Sequence, residues 1–161
     1  MTILHQEFKQ RLMLELETAQ TLHQLLTQER ELLDPPQLHA LKAIQKKKQQ
    51  QLQRLKSLTE ERCQWLEQHQ IPLDQHCIEH PALRHSDKQQ QADLVALWQQ
   101  LAEQFIENRK QTDVLSGIVL QARARTQNLL KILRGQKNAP NLYTKHGQAM
   151  NTENSSGYAK A

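Results

Sequence analysis

The residues best suited to chemistry lie close together: His69, His76, Cys77, His80 and His85. His76 and His80 are four apart, and with Cys77 between them they carry the donor types that zinc selects. A closed zinc site needs a defined set of ligands held by a second shell of hydrogen bonds. This spacing matches no finger pattern, there is no second cysteine pair, and no His-Glu-x-x-His helix motif occurs. The histidines therefore read as polar loop side chains; no metal is expected, and any role for the His-rich loop stays open. Lys46-Lys47-Lys48 is a second candidate, for phosphate contact. No aromatic residues are interleaved with it for base stacking, and Glu accompanies the basic residues along most of the chain, so it reads as a solvated helix face and nucleic acid is not an expected partner. Nothing resembles a phosphate loop, a dinucleotide fingerprint or a nucleophile elbow, and the chain has only 4 Gly. The expectation is a protein that binds another protein, with neither catalytic residues nor a cofactor.

Composition narrows the architecture that could position such side chains. Of 161 residues only 37% are hydrophobic and 4% aromatic. A thick core normally draws on nearly half the chain. Gln, Leu, Lys, Arg and Glu dominate, and these lose little side-chain freedom in a helix. Long helices sharing a narrow seam follow. No run of eighteen or more apolar residues exists, so no membrane insertion is expected. The opening Met1-Thr2-Ile3-Leu4-His5 lacks a basic region followed by an apolar one, so no signal peptide is expected. The two cysteines, Cys63 and Cys77, fit a reducing compartment and unpaired thiols.

Periodicity supplies the elements. Leu4, Phe8, Leu12, Leu16, Ala19, Leu22, Leu26 and Leu33 mark one face of a first helix over about 2–33, with Thr2 as a candidate cap. Asp34-Pro35-Pro36 ends it and, with Asp34 as N-cap, starts a second helix over about 36–69. Leu38, Leu41, Ile44, Leu52, Leu55, Leu58, Arg62 and Leu66 carry its period, which lapses across Lys46–Gln51 and predicts thinner packing there. A loop over about 70–86, bounded by Pro72 and Pro81, tucks Ile71, Leu73, Ile78 and Leu83 onto the helices. A third helix over about 87–134 stops at Gly135 and spans roughly 70 Å at about 1.5 Å per residue. Gly117 within it marks either a close approach or a soft point. Residues 136–161 have the composition of a flexible tail, yet hold both tyrosines, Tyr143 and Tyr158. The expected fold is all-α: an elongated antiparallel three-helix bundle or coiled coil over 1–135 with a disordered C-terminal tail.

Trp65 and Trp98 flank the loop and read as structural anchors. The C-terminal half of the third helix holds more apolar residues than one seam uses: Leu115, Ile118, Val119, Leu120, Ala122, Leu129, Leu130, Ile132 and Leu133. Either the first two helices cover both faces, or the helix offers a groove to a partner helix. A homodimeric coiled-coil adaptor is the alternative use of the same face.

Three stretches resemble the FlgN-type flagellar export chaperones. They are Ala43–Lys48 leading into Leu52–Leu55 and Glu60–Arg62, Asn108–Leu115 in the third helix, and Leu142–Gln148, which is similar to a Tyr-x-x-x-Gly element, with a small-residue end at Tyr158–Ala161. Thr144 stands where that family often has Gly. The resemblance implies a cytoplasmic chaperone of flagellar type III export. Its partners would be the hook-associated proteins of the hook–filament junction and a component of the export gate. It implies cargo binding at Leu115, Val119, Ala122, Leu129, Leu130 and Leu133, gate binding at Tyr143, and no nucleotide.

Overall fold

A computed structural model of the chain describes residues 2–135 and the backbone of Leu142–Tyr143 and Ala149–Met150. Three α-helices dominate: α1 over Thr2–Glu31, α2 over Leu38–Gln68 and α3 over Lys88–Leu133. The chain divides into two compact units, Met1–Gly117 and Ile118–Ala161.

In the first unit the directions of the helices follow from their side-chain pairs. Glu7 meets Trp65, Glu15 meets Arg62, and Glu29 meets Lys48, so α2 runs antiparallel to α1. Lys9 meets Gln90 and Ala19 meets Asn108, so α3 runs parallel to α1. The apolar face of α1 does what its spacing dictates: Phe8, Leu12, Leu16, Ala19, Leu22, Leu25 and Leu26 are all buried. On α3 the buried residues are Leu94, Leu101, Asn108 and Leu115, a strict seven-residue repeat. Such a repeat keeps one seam of a helix facing its neighbours. On α2 only Leu41, Trp65 and Leu66 are buried. Leu38 and Leu52, expected on its packed face, are 72% and 42% exposed, on either side of the lysine-rich stretch where the apolar register lapses.

Most of the core lies at the end where the loop folds over the helices. Phe8 lies between the two tryptophans, with ring centroids 5.6 Å from Trp65 and 6.1 Å from Trp98. Two single-turn 3-10 helices, Cys77–Glu79 and Pro81–Leu83, press Cys77, Ile78 and Leu83 onto this cluster, and Ile71 joins them. Leu73, expected there too, is 53% exposed on the bend after Pro72, and Cys77 is the residue buried instead. His5 Nδ1 donates to the Leu83 carbonyl at 2.9 Å and ties the loop to α1.

The ends of the helices follow local chemistry, with one correction. Asp34 does not cap α2. The Gln37 amide donates to the Leu32 carbonyl at 3.0 Å, and Leu33 bridges Pro36, so the prolines belong to a closed turn; the helix opens after Gln37 without a side-chain cap. At the other end of α2, Gln70 takes φ 56°, its amide donates to Glu67, and the Ile71 amide donates to Leu66. This is the Schellman arrangement, with Ile71 supplying the apolar contact. Asp87 does cap α3, its carboxylate accepting from the Gln89 amide at 2.9 Å.

The second unit contains the rest of α3. The helix ends with the Arg134 amide donating to Leu130 and Gly135 at φ 71°, the left-handed geometry that glycine supplies without strain. Of residues 136–161, the backbone of one short antiparallel ladder is described, pairing Leu142 with Met150 and Tyr143 with Ala149. The expected flexibility of the tail otherwise lies outside the described residues, as does the expected cap by the Thr2 side chain.

Candidate partner-binding surface

The loop histidines are engaged locally. His69 Nδ1 bonds the Trp65 carbonyl at 2.8 Å, His80 Nδ1 accepts from the Ala82 amide, and His85 Nδ1 accepts from the Asp87 amide. His76 lies 3.7 Å from Glu79. Among the described residues no cluster of His, Cys, Asp and Glu is arranged to hold a metal ion. Cys63 and Cys77 are both free thiols. Burial pushes the Cys77 thiol up from 9.0 to about 11, against the opposing pull of Arg62. Of the three consecutive lysines, Lys48 pairs with the buried Glu29 at 2.8 Å and so serves the fold.

Polar side chains within the first unit are likewise structural. Glu15 is completely buried, and Arg62 Nε donates to its carboxylate while the Thr59 hydroxyl donates at 3.4 Å. The Arg62 guanidinium lies 5.4 Å from the Trp98 ring centroid. Leaving either charge alone in the interior would cost several kcal/mol, so the pair fixes how all three helices meet. Asn108 occupies a seam position: its amide donates to the Ala19 carbonyl at 2.9 Å, and its Oδ1 accepts from Gln104 and faces His23 Nδ1 at 3.1 Å.

The apolar seam of α3 changes character along its length. Leu94, Leu101, Asn108 and Leu115 are buried; the next two members of the same heptad series, Ala122 and Leu129, are exposed. The companion series, four residues on, runs Trp98, Phe105, Thr112, Val119, Thr126 and Leu133. Val119 is 49% exposed, Leu129 60%, Leu130 45% and Leu133 81%, and Leu120 and Ile132 are exposed beside them. Of the six residues expected to bind cargo, Leu115 differs: it is 5% exposed and packs with Leu22 and Leu26, so it holds α3 to α1. The other five leave their side chains open. Tyr143 lies in the short ladder, and its side chain is outside the described residues.

The sequence matches the family described as FlgN protein over residues 1–151. The chain belongs to this family. The match spans all three helices and the Leu142–Gln148 element, and it assigns the chain to chaperones of flagellum assembly. No curated protein and no solved structure gives a significant match.

One surface is not evident from the helical period. Met13 and Leu14 are 53% and 43% exposed on α1, outside its buried stripe. With Leu16 and Glu17 on α1 and Leu97 on α3 they line a groove of about 550 Å³. The signal was the run Leu12-Met13-Leu14, which places apolar residues on both sides of the packed face.

Proposed function

We propose that the chain is a cytoplasmic export chaperone whose exposed seam at the end of α3 holds the C-terminal segment of a hook-associated junction protein. The observation that carries this reading is the heptad series that is buried through Leu115 and continues exposed at Ala122 and Leu129, with Val119 and Leu133 of the companion series and the adjacent Leu130 exposed beside them. A helix that keeps its seam pattern where the seam is open is built to receive another helix. Occupying that seam keeps the cargo from assembling early, because the cargo's own apolar face is covered until release. Tyr143 then serves a separate step, contact with the export gate, since an aromatic side chain offers a large contact area with only two χ angles to fix. No helix among the described residues is long and apolar enough to cross a membrane, which agrees with delivery to the gate from the cytoplasmic side.

The test is a titration of the junction protein's C-terminal segment into the whole chain and its Leu129→Asp variant. Leu129 is exposed, so helicity stays unchanged. Affinity falls by at least the burial of one leucine, about 1.5–3 kcal/mol, and is nearly independent of salt. Unchanged affinity moves the cargo site elsewhere. Tyr143→Ala keeps melting temperature and cargo affinity but lowers secretion of the junction proteins; normal secretion removes the gate role.

A further inference from the structure

The groove between α1 and α3 has a chemistry opposite to that of one segment of the same chain. Its apolar wall is Met13, Leu14, Leu16 and Leu97. Its floor continues past Leu16 and Gln20 into a polar stretch lined by Glu103 and Glu107. Every charged side chain lining these two stretches is therefore acidic: Glu17, Glu103 and Glu107. Lys110 offsets Glu107 at 3.2 Å, whereas Glu17 and Glu103 make no ion pair among the described residues. Residues 118–135 carry the converse pattern. They are rich in exposed apolar side chains, their charged residues are Arg123, Arg125, Lys131 and Arg134, and they contain no Asp or Glu. The length also fits. The groove follows α1 from Gln10 to Gln20 and α3 from Leu97 to Glu107, about 15 Å of each helix, and a helical 118–133 segment offers about 24 Å at about 1.5 Å per residue.

We propose that this groove receives residues 118–135 of a second copy of the chain, each copy giving its segment and receiving the other's in a reciprocal dimer. The apolar side chains of the segment enter between Met13, Leu14 and Leu97, and its arginines meet Glu17 and Glu103. Opposite charges set the register of such a contact and exclude wrong partners, while apolar burial supplies most of the affinity. The inference does not rest on the export reading, since both halves of the contact belong to this chain.

Sedimentation equilibrium of the full chain, without cargo, from low micromolar to near-millimolar concentration tests it. The mass rises from 18.8 kDa toward twice that value. Met13→Glu, at an exposed position, weakens association about tenfold or more by placing a charge against apolar side chains. The Glu17→Lys/Glu103→Lys chain and the Arg123→Glu/Arg125→Glu chain each associate poorly with themselves, and mixing the two restores a dimer. A mass that stays at 18.8 kDa at every concentration overturns the proposal and leaves the groove to the chain itself or to another protein. A dimer that survives Met13→Glu overturns it too, because two copies then pair through another surface. Cargo titration on Met13→Glu separates the two ideas. Dimer and cargo claim the same 118–135 segment, so this variant, held monomeric, binds cargo at least as tightly as the original chain, whereas lost cargo affinity would place the cargo, and not the second copy, in the groove.

Discussion

At the scale of single residues, the buried polar groups determine more than the apolar ones. Glu15 and Arg62 form an ion pair inside the three-helix unit, with the Glu15 side chain fully buried. Arg62→Met leaves the carboxylate alone and lowers unfolding free energy by about 3–5 kcal/mol. The Glu15→Leu/Arg62→Met pair loses clearly less, and chemical denaturation of the two variants measures the difference. Arg62 was legible as a seam position from its spacing, but Glu15 was not, because a carboxylate on the packed face is indistinguishable in a pattern from one on the flank. Cys77 makes a second test. Its folded thiol keeps its proton until about pH 11, against 9.0 ordinarily, so between those values the folded chain holds a proton that the unfolded chain releases. Stability contributed by this group is complete below pH 9.0 and is lost as pH rises toward about 11. The fall is smaller in Cys77→Ala. Maleimide at pH near neutral modifies Cys63 and spares Cys77 for the same reason of burial.

Among the elements, the helices were legible because Leu recurs at helical steps over long runs and the breaks fall at Pro and Gly. The turn at Asp34-Pro35-Pro36 shows the limit of that reading. A Pro following an Asp has the composition of a helix start, but the Leu32–Gln37 hydrogen bond closes a turn first and delays α2 to Leu38. Gln70 and Gly117 have opposite mismatches with their backbones. Gln70 holds φ 56°, where a side chain is strained, and Gly117 lies within α3 with nothing among the described residues within 4 Å of an added Cβ. Among the described residues no neighbour accounts for the glycine by a close approach. Gln70→Gly is expected to stabilise by up to about 1 kcal/mol, and Gly117→Ala by about 1 kcal/mol. Thermal melts of the two single variants measure both, and a destabilised Gly117→Ala would mean that the helix needs its glycine for a contact or a bend.

Across the whole molecule, the order of the helices and the FlgN family were both within reach of the sequence, the first from periodicity and the second from the resemblance of three stretches. The division of the α3 seam was not. Leu115, Ala122 and Leu129 have equivalent places in one heptad series, and only the packing of Leu22 and Leu26 on Leu115 separates the part that holds the fold from the part left open. The α1 groove was equally hidden, since it depends on Leu97 meeting Met13 and Leu14 across two helices. The central claim is that cargo takes the open part of the seam. Hydrogen exchange of the full chain, diluted until it is monomeric, with and without the junction protein's C-terminal segment tests it most directly: amides of residues 119–133 gain protection on binding, and those of α1 and α2 are unchanged. Protection gained along α1, with 119–133 exchanging as before, would contradict it.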